Sequence, residues 1–115
     1  MNVVTLIGNL ATDVDLREVA GDKRVASFVL AVDRPGGDAD FLRVAAWDKQ
    51  AELCHRFLAK GKRVGVDGRL RSRSWEEDGK RRTVVEVVAR HVQFLSATEP
   101  SWKEDADTPF EPAAR

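Results

Sequence analysis

The chain has 115 residues, 43% of them apolar and 33% charged, with a formal net charge of zero. That length sets one domain as the expectation, with enough apolar content for a modest core. A single cysteine, Cys54, excludes an intrachain disulfide framework and suits a reducing compartment, and no apolar stretch approaches membrane-spanning length. The zero net charge conceals an asymmetry. Residues 1–95 carry 17 Lys/Arg against 14 Asp/Glu, a net +3, and residues 96–115 carry 2 against 5, a net −3. Within 56–82, ten basic residues meet four acidic ones, a local +6. Such a patch is the electrostatic footprint of a polyanionic partner.

In chain order, Val3 to Leu10 is a dense β-branched run and reads as a strand rather than a signal peptide, since no basic region precedes it. Gly8 inside it signals a bulge or a close backbone approach. Asp13 to Gly21 is polar and reads as irregular, with a turn at Gly21-Asp22. Val25 to Asp33 is the second strand, with Phe28, Leu30 and Val32 on its core face. "RPGGDAD" is a turn by composition, and Phe41 to Trp47 is the third strand. The period then changes. "DKQAELCHRFLAKGK" offers Asp48 as N-cap and Gly61 as C′ stop, with Ala51, Cys54, Phe57 and Leu58 at helical spacing. Arg63 to Trp75 is the fourth strand, "EEDGKR" a hairpin tip at Asp78-Gly79, and Arg82 to Ala89 the fifth. A last short strand is expected at His91 to Leu95. Beyond Leu95 the composition shifts to Ser, Ala, Thr, Glu, Asp and Pro, which predicts a folded unit over 1–96 and a disordered acidic tail over 97–115.

Five main strands with one helix between the third and fourth describe an all-β OB-fold, a five-stranded Greek-key barrel. Two strands carry an unusual outer face. On Arg63–Trp75 the even positions, Val64, Val66, Gly68 and Leu70, form an apolar side, and the odd positions place Arg69, Arg71, Arg73 and Trp75 in one row. On Phe41–Trp47 the even positions are Leu42, Val44 and Ala46, and the odd ones are Phe41, Arg43, Ala45 and Trp47. Large aromatics directed away from a core forgo the burial that would otherwise explain them. Aromatics interleaved with arginines suit single-stranded nucleic acid: bases stack on rings, and guanidiniums neutralise phosphates. Neither interaction reads base identity, so binding along Phe41, Trp47 and Trp75 is expected to be nearly sequence-independent.

The pieces "NVVTLIGNL", "VASFVLAV", "DFLRVAAWDKQAEL", "KGKRVGVDGRLRSRSWEEDGKRRTVVEVVA" and "VQFL" resemble the bacterial single-stranded DNA-binding proteins in order and spacing over residues 1–95. The resemblance implies a cytoplasmic, nucleoid-associated homo-oligomer, usually a tetramer of OB-folds. It implies sequence-independent binding of single-stranded DNA in replication, recombination and repair. The residues themselves suggest no cofactor, no metal, no membrane and no enzymatic activity. The resemblance places the stacking aromatics at Phe41, Trp47 and Trp75 and the phosphate contacts at Arg43, Arg71 and Arg73, with Lys62 and Arg63 as weaker candidates; the row of arginines on the fourth strand adds Arg69 to the phosphate set. The resemblance also assigns the first strand a part in pairing subunits.

Two features depart from the family pattern. The turn Arg34–Asp38 is short and lacks a further aromatic. "EDADTPF", Glu104 to Phe110, resembles the acidic tip through which the family recruits replication and repair proteins, but "EPAAR" follows it, so Phe110 has no free carboxylate. A short paralogue with a specialised role is a variant of this reading, and a primosome-like OB-fold protein acting mainly on other proteins is the alternative. No phosphate-cradling glycine loop is present. Cys54 and His55 are adjacent on the helix and so face different directions, which suits neither a zinc set nor a nucleophile pair. Asp13, Asp15, Asp33, Asp38 and Asp40 read as turn and cap residues rather than a nuclease centre.

Overall fold

The structure is a computed structural model and describes residues 1–95. The expected tail, with Trp102 and the Glu104–Phe110 segment, lies outside the described residues. Six strands and one helix follow one another: β1 (Val4–Leu10), β2 (Asp15–Val19), β3 (Lys23–Asp33), β4 (Ala39–Trp47), α1 (Asp48–Phe57), β5 (Arg63–Glu77) and β6 (Lys80–Phe94). They form one sheet in the order β1-β5-β6-β4-β3-β2, which closes on itself through Asn9↔Ala31 and Leu10↔Leu30 of β1 and β3. Neighbours are antiparallel except β4 and β6, which pair in parallel at Val44↔Val87 and Ala45↔Val88. This closed small barrel, with its helix between β4 and β5, is consistent with the OB architecture.

The alternation read in the sequence sets the inside. Phe28 and Leu30 of β3, Val44 and Ala46 of β4, and Val64 and Val66 of β5 are all buried, while Val32 and Leu42 are partly so. Ala51 and Cys54 of α1, with Leu58 just beyond it, plug the barrel. Gly8 is a close approach, as its place in the strand suggested: a Cβ there would lie 2.3 Å from the Ala31 carbonyl oxygen, where β1 crosses β3. The Asp78-Gly79 tip has φ of 54° and 77°, the two consecutive left-handed residues that a tight Asp-Gly hairpin turn requires.

Six expectations need correction. Asp15–Val19 is not irregular; it pairs residue for residue with Lys23–Ser27, and that partner overrides its polar composition. The fifth strand and the short strand after it are one continuous strand, β6. Its register shifts between Asp67 and Gly68 of β5, which oppose His91 and Ala89, so Arg90 is an extra bulged residue. The bulge changes the parity of β6 and lets both Val87 and Val92 face the core. The Gln50 side chain secures it, donating to the Arg90 carbonyl and accepting from Val92 N–H at 2.8 Å.

Asp48 is not the N-cap of α1. Trp47 occupies that position with extended backbone and no side-chain cap, and Asp48 turns the chain into the helix at φ 54°. The helix also stops before Gly61. Leu58 is its C-cap, donating to the Cys54 carbonyl at 2.9 Å, and Gly61 (φ 96°) sits in the turn into β5. Phe57 leaves the core and packs against Phe94, with ring centroids 6.1 Å apart. Leu70 is exposed rather than core, because the outer half of the β5–β6 hairpin projects beyond the barrel. Its backbone is joined instead by the Asn2 side chain, which donates to its carbonyl at 2.9 Å and accepts from its N–H at 2.8 Å.

Candidate nucleic-acid interface

The outer face of the barrel is continuous from β2 to β5. Register fixes which side chains meet there: Trp47 stands beside Val25, Ala45 beside Ser27, Arg43 beside Val29 and Phe41 beside Ala31. Through the parallel β4–β6 pairing, Glu86 of β6 follows on this face, and Arg71 lies directly opposite Glu86 on β5. These strands enclose an open groove of about 480 Å³, lined by Arg43 and Trp47 of β4, Arg71 and Arg73 of β5, Glu86 of β6, and Arg17 and Asp15 of β2. Ala45 is buried beneath the groove as part of its floor.

The sequence-derived candidates divide into three groups. Arg43, Trp47, Arg71 and Arg73 come together in the groove. Trp75 joins them at one end: it is 41% exposed, and the Arg73 guanidinium carbon lies 5.4 Å from its ring centre. Phe41, 66% exposed, stands on the same face of β4, six residues or about 20 Å from Trp47 at strand rise. Arg69 is exposed on β5, in register with Val88, beyond the groove lining. Lys62 and Arg63 are not brought together with the rest. They lie at the start of β5, where Arg63 Nη1 donates to Asn9 Oδ1 at 3.0 Å, ten residues or about 34 Å along the strand from Arg73.

Two groove residues escaped the sequence reading. Arg17 sits with Asp15 on the odd face of β2, its Nε 3.0 Å from Asp15 Oδ2. The alternation of "DLREV" would have revealed it had that stretch been taken as a strand. Glu86 is the larger omission. It is 4% exposed and is the buried charged residue among those described. Arg71 Nη2 and Arg73 Nε both donate to its Oε2, the latter at 3.1 Å. Burial pushes the Glu86 carboxyl up, but hydrogen bonding and charge from Arg71 and Arg73 outweigh that and hold it below the ordinary carboxylate range. Its signal was a lone carboxylate inside the apolar run "VVEVVA", which demands a paired cation. Arg71 Nε is buried without a hydrogen-bond partner among the described residues, whereas Arg43 makes no ion pair there.

Three more of the acidic residues near the loops have structural partners. Asp13 Oδ1 accepts from Lys60 N–H at 2.9 Å, and Asp38 and Asp40 both pair with Arg34. Burial pushes the Cys54 thiol up to about 11, so it carries little of the reactive thiolate near neutrality. Among the described residues, no group of three His, Cys, Asp or Glu is placed to hold a metal, and no helix is long and apolar enough to cross a membrane.

A small closed β-barrel with a cationic groove on its outer face, flanked by exposed aromatics, defines an oligonucleotide-binding barrel. The family model described as "Single-strand binding protein family" matches residues 1–95. The chain belongs to the single-strand binding protein family. It is 47% identical over 102 residues to Single-stranded DNA-binding protein 3 of Clostridium acetobutylicum, covering 83% of this chain and 71% of that protein. Single-stranded DNA-binding protein 2 of Listeria innocua is also 47% identical over 102 residues, covering 83% of this chain and 64% of that protein. For the single-stranded DNA-binding protein of Clostridium tetani the identity is 47%, over 83% of this chain and 70% of that one.

Proposed function

We propose that this chain binds single-stranded DNA, without reading its sequence, along the outer face of β4, β6 and β5. The observation that carries the reading is the meeting of Arg43, Trp47, Arg71 and Arg73 in one open groove of a single-strand binding protein family barrel. Phe41, Trp47 and Trp75 supply stacking faces, and Arg43, Arg69, Arg71 and Arg73 contact phosphates. Lys62 and Arg63 take part only where the strand continues along β5 toward β1. The role is binding rather than catalysis, in the cytoplasm on the nucleoid, during replication, recombination and repair. Several copies act together, as the family's tetramers do. An open edge of β1 supports this, since among the described residues Val4–Gly8 pair only with β5, and Val3 and Ile7 are exposed beside that edge. Glu104–Phe110 stands in the same reading as a vestige of the family's tip that recruits replication and repair proteins, since Phe110 has no free carboxylate.

A fluorescence titration with oligo(dT), at low and moderate salt, tests the proposal. Wild-type tryptophan emission is expected to be quenched, with affinity falling steeply as salt rises. Trp75→Ala should lose about 1–3 kcal/mol of binding, roughly 5- to 150-fold in Kd. Wild-type protein that folds and assembles without quenching would overturn the reading in favour of a protein-interaction role for the outward aromatics.

A further inference from the structure

A carboxylate buried in the floor of a phosphate-binding groove works against the groove's own field. Four arginines line it, Arg17, Arg43, Arg71 and Arg73, and Glu86 cancels one of their charges from beneath. What Glu86 supplies is geometry. Arg71 and Arg73 converge on a single oxygen, Glu86 Oε2. Arg73 spends its Nε on that bond, which leaves both its terminal nitrogens, each a two-proton donor, for another acceptor. The same bond fixes where its guanidinium lies, 5.4 Å from the Trp75 ring centre. A cation at that distance is attracted to the indole face, so the chain Glu86–Arg73–Trp75 couples a buried anchor to an exposed ring.

We propose that Glu86 is a positioning residue for the nucleic-acid contact: it holds Arg71 and Arg73 as a fixed pair, and through Arg73 it backs one face of the Trp75 indole so that the opposite face is offered to a base. The inference rests on the reading of the groove as a single-stranded DNA site. Two free arginines, each with a long flexible stem, would otherwise have to be ordered at the moment of binding and would repel each other meanwhile. The carboxylate meets both demands in advance, at the expense of one unit of positive charge.

The two effects of Glu86 have opposite signs, so one substitution separates them. Glu86→Gln keeps the shape and an acceptor oxygen but adds one net positive charge to the groove. If field alone mattered, the variant would bind oligo(dT) more tightly, with a salt slope steeper by about 0.7. Positioning predicts the reverse, a Kd about tenfold weaker at moderate salt, from ordering two side chains on binding. In an Arg73→Ala background the loss from Glu86→Gln should shrink to about twofold, since its route to Trp75 has been removed. Glu86→Asp keeps the charge but is one methylene shorter, and is expected to bind about threefold to fivefold more weakly, from imperfect ordering of the same two arginines. Should the glutamine variant fail to fold, undiminished affinity of the aspartate variant would overturn the proposal. Equal or tighter binding by a folded Glu86→Gln protein would overturn it as well. The wild-type titration settles separately whether the groove binds DNA.

Discussion

Individual groove arginines differ in what already holds them. Arg43 has no ion pair among the described residues, whereas Arg71 and Arg73 share buried Glu86. Arg43→Ala should therefore leave stability nearly unchanged while the slope of log K against log salt for oligo(dT) falls by about 0.7, the loss of the one phosphate contact proposed for it. Arg71→Ala should reduce stability as well as affinity, because it strips the Glu86 carboxylate of one donor, at about 1–3 kcal/mol. Urea unfolding beside the binding titration distinguishes the two. Glu86 also sets a pH dependence. Its folded pKa is depressed, so its contribution is complete above the unfolded value of about 4.3 and is lost as pH falls through the folded value. Glu86→Gln should thus be less stable than wild type at pH 7, with the gap narrowing below pH ~4; urea midpoints at both pH values check this. The pairing was within reach of the sequence. The Asp78-Gly79 turn sets a two-residue hairpin, and counting back from it places Arg71 against Glu86. Alternation alone identified the row of arginines but not what lay under it, because it assigns faces and not cross-strand partners.

The elements were legible where local chemistry decided them and obscure where a neighbour did. Period-2 alternation identified β3, β4 and β5, and the Asp-Gly turn marked the hairpin tip, because side-chain direction and left-handed φ are local properties. β2 was hidden because its strand character comes from pairing with β3. The bulge at Arg90 was hidden because β6 must change parity to follow a curved barrel, and Gln50 on a distant helix secures it. Leu70 looked like core for the same reason: alternation continues along the hairpin after the barrel has ended. Gly8 is the case where sequence and element agree. An added methyl would meet the Ala31 backbone oxygen at 2.3 Å, and a backbone atom cannot swing aside as a side chain would. Gly8→Ala should force β1 away from β3 and open the barrel seam, costing about 1–3 kcal/mol or more and lowering Tm by roughly 5–20 °C. A thermal melt is the measurement, and an unchanged Tm would mean that β1 does not close on β3 as described.

At the scale of the whole molecule, one barrel offers a short track. As proposed stacking faces, Phe41, Trp47 and Trp75 would take about three bases, each worth roughly 1–3 kcal/mol, and part of that is spent on ordering a flexible strand. Tight binding therefore needs several barrels on one strand, where the second engagement is intramolecular and avidity rises by about 10²–10⁴. The proposed surface for such assembly is the open edge of β1. Ile7 is 53% exposed on β1, level with Gly65, where β5 carries no side chain. β1 keeps one edge unpaired over Val4–Gly8 among the described residues, an invitation to another strand. Ile7→Asp places a charge where a lone subunit already meets water, so the folded barrel should tolerate it, while two copies facing each other there would be repelled and left with buried carboxylates. Light scattering should show the variant as a smaller species with an unchanged melting profile at low concentration. Its affinity for an oligo(dT) long enough to reach several barrels should fall by about 10²-fold or more, whereas its affinity for one only a few nucleotides long should hardly change. Loss of both affinities together would place Ile7 on the DNA path; loss of neither, with the assembly intact, would move the subunit contact off β1. The difference between long and short oligonucleotides is the informative quantity, because chemistry at the groove is common to both and only the number of barrels reached distinguishes them.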